Sequence, residues 1–297
     1  MTLAAFILTL LSVFMHALWN FLSKANKPSC AFYLLMNLVS AAVAFLSMPF
    51  QKISWSALPG AFWFCLLGSI AFETLYSVGL FTTYKRLDIS VAYPVMRSLP
   101  VVFTPIVTMI FHLGHAPGWL AMAGMLVIAA GCMILQGFRF SRHSSLLSAS
   151  AWGPILMASL GTTGYTILDS VATKYFLNAN QASAPVALVG YFLLIEVGLS
   201  TMLGLFVILQ PKERKEFVTV CLRIPYPYLC GVFNCGAYTL VLGAMRFVEN
   251  VSYVQAFRQM ALPLCAGMGV LFLKEKLNFA KVLGILVILS GLIVTVI

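Results

Sequence analysis

The chain is 297 residues long, 61% hydrophobic and only 9% charged, with a formal net charge of +10. A soluble domain carries roughly 25% charged residues, so no fold of this length can cover itself in water-facing side chains, and lipid is the expected solvent for most of its surface. The basic residues sit at the ends of apolar runs and form no stripe, which sets nucleic acid aside as a partner.

A membrane-spanning helix needs about 20 mostly apolar residues. The first run, 3–22, has no basic stretch before it and no small-x-small cleavage site after it, the pattern of a retained helix rather than a signal peptide. Further spans are expected at 30–49, 59–80, 91–112 and 117–137. The second half supplies 151–172, 185–209, 227–245, 251–273 and 279–297. Between them fall breakers and charges: Lys24 to Pro28, Lys85 to Asp88, Arg139 to His143. The longest polar stretch runs from Gln210 to Pro227 and contains Lys212-Glu213-Arg214-Lys215-Glu216. No soluble domain fits in loops this short. The seven cysteines form no CxxC pair and mostly lie inside apolar runs, which predicts neither a disulfide framework nor a zinc site.

The chain repeats itself. Tyr84-Lys85-Arg86-Leu87-Asp88 returns as Met245-Arg246-Phe247-Val248-Glu249, and nine residues after each acid stands an arginine, Arg97 and Arg258. Gly124 and Gly131 match Gly284 and Gly291, Leu18, Ser23 and Lys24 match Leu168, Thr173 and Lys174, and Asn37 matches Glu196. Five spans is an odd number, so the second copy enters the membrane from the opposite side. The expected architecture is an all-α membrane protein of ten transmembrane helices, built as two inverted five-helix repeats over 1–142 and 143–297. Inverted repeats recur in secondary transporters, where they frame a site near the midplane.

On this plan the chain resembles the EamA-like branch of the drug/metabolite transporter superfamily. The likeness rests on Leu18-Trp19-Asn20-Phe21 with Lys24, on Ala92 to Pro105, and on Leu271-Phe272-Leu273-Lys274-Glu275-Lys276-Leu277. It covers nearly the whole chain, and its motifs are short and degenerate. One departure is Phe111-His112-Leu113-Gly114-His115, where a glutamate-containing turn would be expected. The resemblance implies a carrier of small metabolites, with spans 3, 4, 8 and 9 among those lining a central cavity.

Five charged side chains fall well inside the expected spans: Glu73, Arg97, Asp169, Glu196 and Arg258. Each costs about 2.5–3.5 kcal/mol at a helix centre on insertion scales, and such groups usually face a bundle interior or a wet cavity. Gln255, Arg258, Gln259 and Leu262 follow helical spacing and share a face, matched in span 4 by Pro94, Arg97, Ser98 and Val101. Two arginines converging from inverted halves make a fork for carboxylate, phosphate or phosphonate. The competing reading is that each arginine neutralises an acid and only staples helices. Burial disfavours the charged form of a carboxyl, so Glu73, Glu196 and Asp169 are candidates for proton coupling, and Glu73 also for binding a substrate amine. The equivalent of Glu73 is Asn234. His16, with Trp19 and Asn20 one turn away, is a candidate switch or a packing residue. Tyr93, with Tyr76, Tyr165, Tyr238 and Tyr253, is a candidate for the cavity wall, although aromatics in such helices more often pack or mark the interface. Lys24 and Lys174 read as interface anchors.

Catalytic signatures are missing from the sequence: it has no H-E-x-x-H, no G-x-S-x-G and no P-loop. His112 and His115 lie three apart with no carboxylate close by in sequence, a poor metal site. No metal and no cofactor are expected. The function predicted is a secondary active transporter of a small anionic or zwitterionic metabolite, proton-coupled or not, acting as a monomer or homodimer in a bacterial inner membrane. The alternatives are a membrane acyl- or phosphotransferase and a non-transporting assembly partner. Orientation follows from the basic residues. The loops after odd-numbered spans hold most of them, including Lys85, Arg86, Arg139, Lys212 and Lys215, whereas the even loops hold only Lys52, Lys174 and Arg246. That bias places both termini outside, whereas the family resemblance implies termini inside.

Overall fold

The computed structural model describes residues 2–25, 29–86, 89–135, 149–180, 184–274 and 276–297. Within these, the side chains of 24–25, 84–86, 89–94, 149–151, 184–186 and 273 stay outside the description. Lys27, Asp88, Arg139, Arg142 and Glu275 from the sequence reading therefore lie outside the described residues, as do the side chains of Lys24, Tyr93 and Pro94.

The described residues are helical, with no strand among them. The helices are α1 (Leu3–Ala25), α2 (Cys30–Phe45), α3 (Gly60–Arg86), α4 (Ile89–Ile110), α5 (Trp119–Leu135), α6 (Ala149–Ala179), α7 (Ala184–Leu209), α8 (Pro211–Arg223), α9 (Tyr226–Met245), α10 (Val251–Phe257), α11 (Ala261–Leu273) and α12 (Phe279–Val296). Side-chain caps start several of them, because the first N–H groups of a helix have no internal partner. Ser29 Oγ accepts from Phe32 N, Asn250 Oδ1 from Ser252 N at 2.9 Å, and Asn278 Oδ1 from Lys281 N at 2.8 Å.

Six stretches are long and apolar enough to cross a membrane: Leu3–Ser23, Cys30–Phe50, Gly60–Thr83, Ala187–Leu209, Tyr226–Met245 and Phe279–Val296. Val95–Ile110 and Trp119–Leu135 are shorter apolar helices. Of the other expected spans, α6 is long but rich in serine and threonine. Its hydroxyls bond back to its own carbonyls, as Ser159 does to Ile155 O and Thr162 to Ala158 O, both at 2.9 Å. The expected span 251–273 is not one helix. A 3-10 turn, Arg258–Met260, separates α10 from α11. Pro263 explains the break, since it brings no N–H for the carbonyl four residues back and its ring crowds that carbonyl. The polar stretch after α7, expected as a loop, is mostly the helix α8.

Much of the helix surface is apolar, while several acids lie inside. Phe64 is 78% exposed and Leu67 66%, while Asp169 is fully buried and Glu196 3% exposed. A water-soluble protein rarely exposes apolar surface on this scale. Lipid tails suit it.

The most extensive packing joins α3 to α6, α5 to α12 and α1 to α9, with α2 against α7 and α9. Glycines let the α5 and α12 backbones touch. A Cβ on Gly131 would stand 2.8 Å from Ile288 N, and one on Gly291 would stand 2.8 Å from Ile128 N. A Cβ on Gly124 would lie 2.7 Å from Thr295 N, and one on Gly284 would collide with the Leu135 backbone. Close approach of this kind is how helices gain packing energy in lipid. Gly131→Leu and Gly291→Leu are therefore expected to lower stability by about 1–3 kcal/mol each through overpacking. Gly204→Leu, where a Cβ meets nothing within 4 Å, should be nearly silent. Thermal unfolding of the three variants in detergent checks this.

Candidate functional site

One cavity brings together Glu73, Glu196 and the two arginines Arg97 and Arg258. Its free volume is about 90 Å³, well below the roughly 300–1,000 Å³ of drug-sized ligand sites. α1 contributes Ser12, His16 and Trp19, α2 Tyr33 and Asn37, and α3 Glu73 and Tyr76. Arg97 and Pro100 come from α4, Thr162 and Tyr165 from α6, Glu196 from α7, Asn234 and Tyr238 from α9, and Gln255 from α10, with Arg258 in the 3-10 turn. α5 and α12 pack on each other and supply none of the wall.

Arg97 and Arg258 line the same cavity, beside the packing of α4 on α10. Both guanidiniums act electrostatically on His16. Arg258 is 6% exposed, and its Nη1 is buried without a hydrogen-bond partner among the described residues. Its Cζ lies 6.0 Å from the centre of the Tyr238 ring, within cation–π range. Arg258 makes no ion pair with a described acid, although Glu73 and Asp169 both lie within its electrostatic reach. The 3-10 turn breaks the face expected from spacing alone. Gln259 is buried but off the cavity wall, and its Nε2 donates to Gln255 O at 3.1 Å. Gln255 stays on the wall with its Oε1 buried and unpartnered among the described residues.

The three acids divide. Asp169 lies behind the cavity in a cradle of hydroxyls. Ser69 Oγ donates to its Oδ1 at 2.5 Å, Tyr191 OH to the same oxygen at 2.7 Å, and Tyr238 OH to Oδ2. One carboxylate thereby ties α3, α6, α7 and α9 together. Glu196 accepts from Asn234 Nδ2 at 2.9 Å, and Asn234 also donates to Ser40 Oγ at 3.1 Å. Glu196 Oε2 and Glu73 Oε2 are buried without a hydrogen-bond partner among the described residues. Glu73 is within electrostatic reach of both other acids. His16 Nδ1 accepts from Trp19 Nε1 at 3.1 Å, which fixes the ring against the wall. The side chain of Tyr93 lies outside the described residues.

The sequence reading missed Ser69 and Tyr191 as the holders of Asp169, Ser40 behind Asn234, and Tyr33 and Thr162 on the wall. The available signal was a polar side chain within an apolar run. That signal is weak, because most such hydroxyls only bond back to their own helix.

At one face of the bundle two turns are latched together. Asn250 Nδ2 donates to Thr108 Oγ1 and to His115 O, both at 3.1 Å, which fastens the turn after α4 to the turn before α10. Gly114, at φ +94°, is pressed onto the Glu249 carbonyl. Leu8, Val107, Leu113 and Val248 pack there against buried Val251 and Val254. Trp19, Tyr33, Leu80 and Met96 extend the cavity wall the other way, toward the ends of their helices where the chain passes from α1 to α2 and from α3 to α4. Among the described residues no three His, Cys, Asp or Glu side chains gather as a metal site.

No family model matches the chain, and no curated protein matches it. A protein of known crystal structure has the same fold: it is 19% identical, with a TM-score of 0.68, over 99% of this chain and 96% of its own.

The cradle makes a quantitative demand. Removing one donor from a buried carboxylate costs about 1.5–3 kcal/mol. Tyr191→Phe, which leaves the cavity wall untouched, should lose that much stability in reversible unfolding from mixed micelles.

Proposed function

We propose that the chain is a secondary carrier that moves a small anionic or zwitterionic metabolite across a bacterial inner membrane by alternating access. The observation that carries this reading is Arg258: a buried guanidinium on a cavity wall, with Nη1 unpartnered among the described residues and its neighbouring carboxylate Asp169 already satisfied by three hydroxyls. A buried cation not used for stapling is suited to an anionic ligand group, and a planar guanidinium can bind two oxygens at once. Arg97 brings the second positive charge to the same wall. Glu73 and Glu196 supply oxygens for a proton or for a substrate amine.

Ten spans in two inverted halves, 1–142 and 143–297, complete the proposal. Reciprocal packing supports it. Shifting by 160 residues turns the Gly131–Ile288 contact into Gly291–Ile128, and Gly124–Thr295 into Gly284–Leu135. The same two-fold exchange relates α1 on α9 to α6 on α3. The Asn250 latch at one face, and a cavity that extends toward the other, fit one of the two states such a carrier visits.

Replacing Arg258 or Arg97 with glutamine should weaken uptake of cognate substrate into proteoliposomes by about 10- to 100-fold, the equivalent of about 1.5–3 kcal/mol for a charge-assisted hydrogen bond. Undiminished flux with both replaced would overturn the anion site. Glu73→Gln should abolish dependence on an imposed proton gradient while leaving substrate binding measurable by thermal shift.

The concentration of basic residues in the odd loops supports termini outside the cytoplasm. A C-terminal epitope should then be cleaved by protease added to spheroplasts, whereas protection until lysis would reverse the orientation.

A further inference from the structure

Helix α8 takes no part in the cavity wall, yet it has the features of a membrane-surface device. Its face toward the protein carries Glu213, Phe217 and Val220. Glu213 Oε2 accepts from Ala31 N at 3.2 Å, at the first turn of α2. Phe217 and Val220 belong to the cluster that holds Trp19, Phe32 and Met36, and Trp19 and Met36 are also cavity-wall residues. The outward face differs. Lys212, Arg214, Lys215 and Arg223 are exposed, and in the row with Arg214 stand Val218, 57% exposed, and Leu222, 79% exposed. No described residue covers these two apolar side chains.

Neighbouring residues fix the level of α8. Leu209, the last residue of α7, is 79% exposed, and exposed Tyr226 and Tyr228 open α9. Tyr228 OH donates to Cys221 O at 2.9 Å, so α8 is tied at the height of two tyrosines. Exposed tyrosines at the ends of apolar helices mark the headgroup level. A short helix at that level, with basic flanks and an outward apolar row, fits the plane of the bilayer surface.

We infer that α8 is a docking site for anionic phospholipid headgroups, in which Lys212, Arg214, Lys215 and Arg223 meet the phosphates while Val218 and Leu222 enter the acyl boundary. Charge complementarity selects the occupant: four exposed cations and one partly buried acid, Glu216, face the surface, and each cation near an anionic leaflet gains about 1 kcal/mol. Through Glu213 and Ala31 the docked helix steadies the first turn of α2, just before Tyr33 and Asn37 of the cavity wall. The inference is independent of what the cavity carries.

Hydrogen exchange of the full-length protein in nanodiscs tests it. Discs of phosphatidylcholine alone are compared with discs that also contain phosphatidylglycerol. Amides of 212–223 and of 30–34 should exchange several-fold more slowly in the anionic discs, and added salt should erase the difference. A variant with Lys212, Arg214, Lys215 and Arg223 replaced by glutamine should exchange alike in both discs, with the other helices unchanged. Equal exchange of the unaltered protein in both discs overturns the proposal, as does slowing that survives in the variant. If the quadruple variant fails to fold, K215Q alone should show a smaller but measurable loss of the lipid effect, and an undiminished effect in K215Q and R214Q alike counts against the site. Native mass spectrometry gives a second readout, in which the unaltered protein retains more phosphatidylglycerol than the variant.

Discussion

Lipid tails offer no hydrogen bonds, and this constraint orders the rest of the structure. A polar group on an exterior suited to lipid would be left unsatisfied at a cost of several kcal/mol, so polar groups turn inward and find partners there. The cheapest partner is the side chain's own helix, which explains the row of back-bonded hydroxyls along α6. Charges need more. Asp169 is accommodated only because Ser69, Tyr191 and Tyr238 converge from three other helices. Once the bundle has gathered its polar groups, their common surface is the cavity. The site is thus a consequence of the same rule that makes the exterior apolar.

Most helices were legible because an apolar run of about 20 residues stands out in a sequence: six of the expected spans coincide with helices long and apolar enough to cross a membrane, while 251–273 is two helices separated by a 3-10 turn. What escaped the sequence depends on geometry. Spacing placed Gln259 beside Arg258, but a proline four residues further on tightened the backbone into a 3-10 turn and rotated Gln259 off the wall. The polar stretch after α7 looked like a loop because its net polarity hides an amphipathic pattern of only three turns. The cradle of Asp169 was hidden because sequence shows where a charge sits along a helix, and not which hydroxyls from other helices reach it.

Arg258 shows the difference between compensation and pairing. The interior contains positive and negative groups close enough to feel one another, which lowers the cost of burying each. A direct ion pair at Arg258 would have lowered it further. Instead the acids are given hydroxyl and amide donors, and Arg258 is left with an aromatic face and an open Nη1. A purely structural network would be expected to close such a gap, since a half-satisfied buried network is destabilising. The proposed carrier function calls for the opposite arrangement, with donors left open for a ligand.

The proposed two-fold sharpens where the halves differ. Asn37 is equivalent to Glu196, and Glu73 to Asn234. The bonded pair Glu196 and Asn234 therefore maps onto Asn37 and Glu73, with acid and amide exchanged between the helices. All four residues line the same cavity. Each half thus brings one carboxyl and one amide to the wall, but from opposite members of the pair. In the second half the amide holds one carboxylate oxygen and is itself anchored by Ser40. Glu73 lies closer to Asp169 and to Arg258 in the electrostatic sense, so its environment differs from that of Glu196 even where the backbone plan is shared. If both acids served only to hold helices together, exchanging acid and amide between the halves would be neutral and would leave two equivalent pairs. Because their surroundings are inequivalent, the exchange places one carboxyl in reach of the guanidinium and the other against an amide. Under the proposed function, an asymmetric ligand with an anionic group at one end and a donor at the other would meet a wall that is itself polarised.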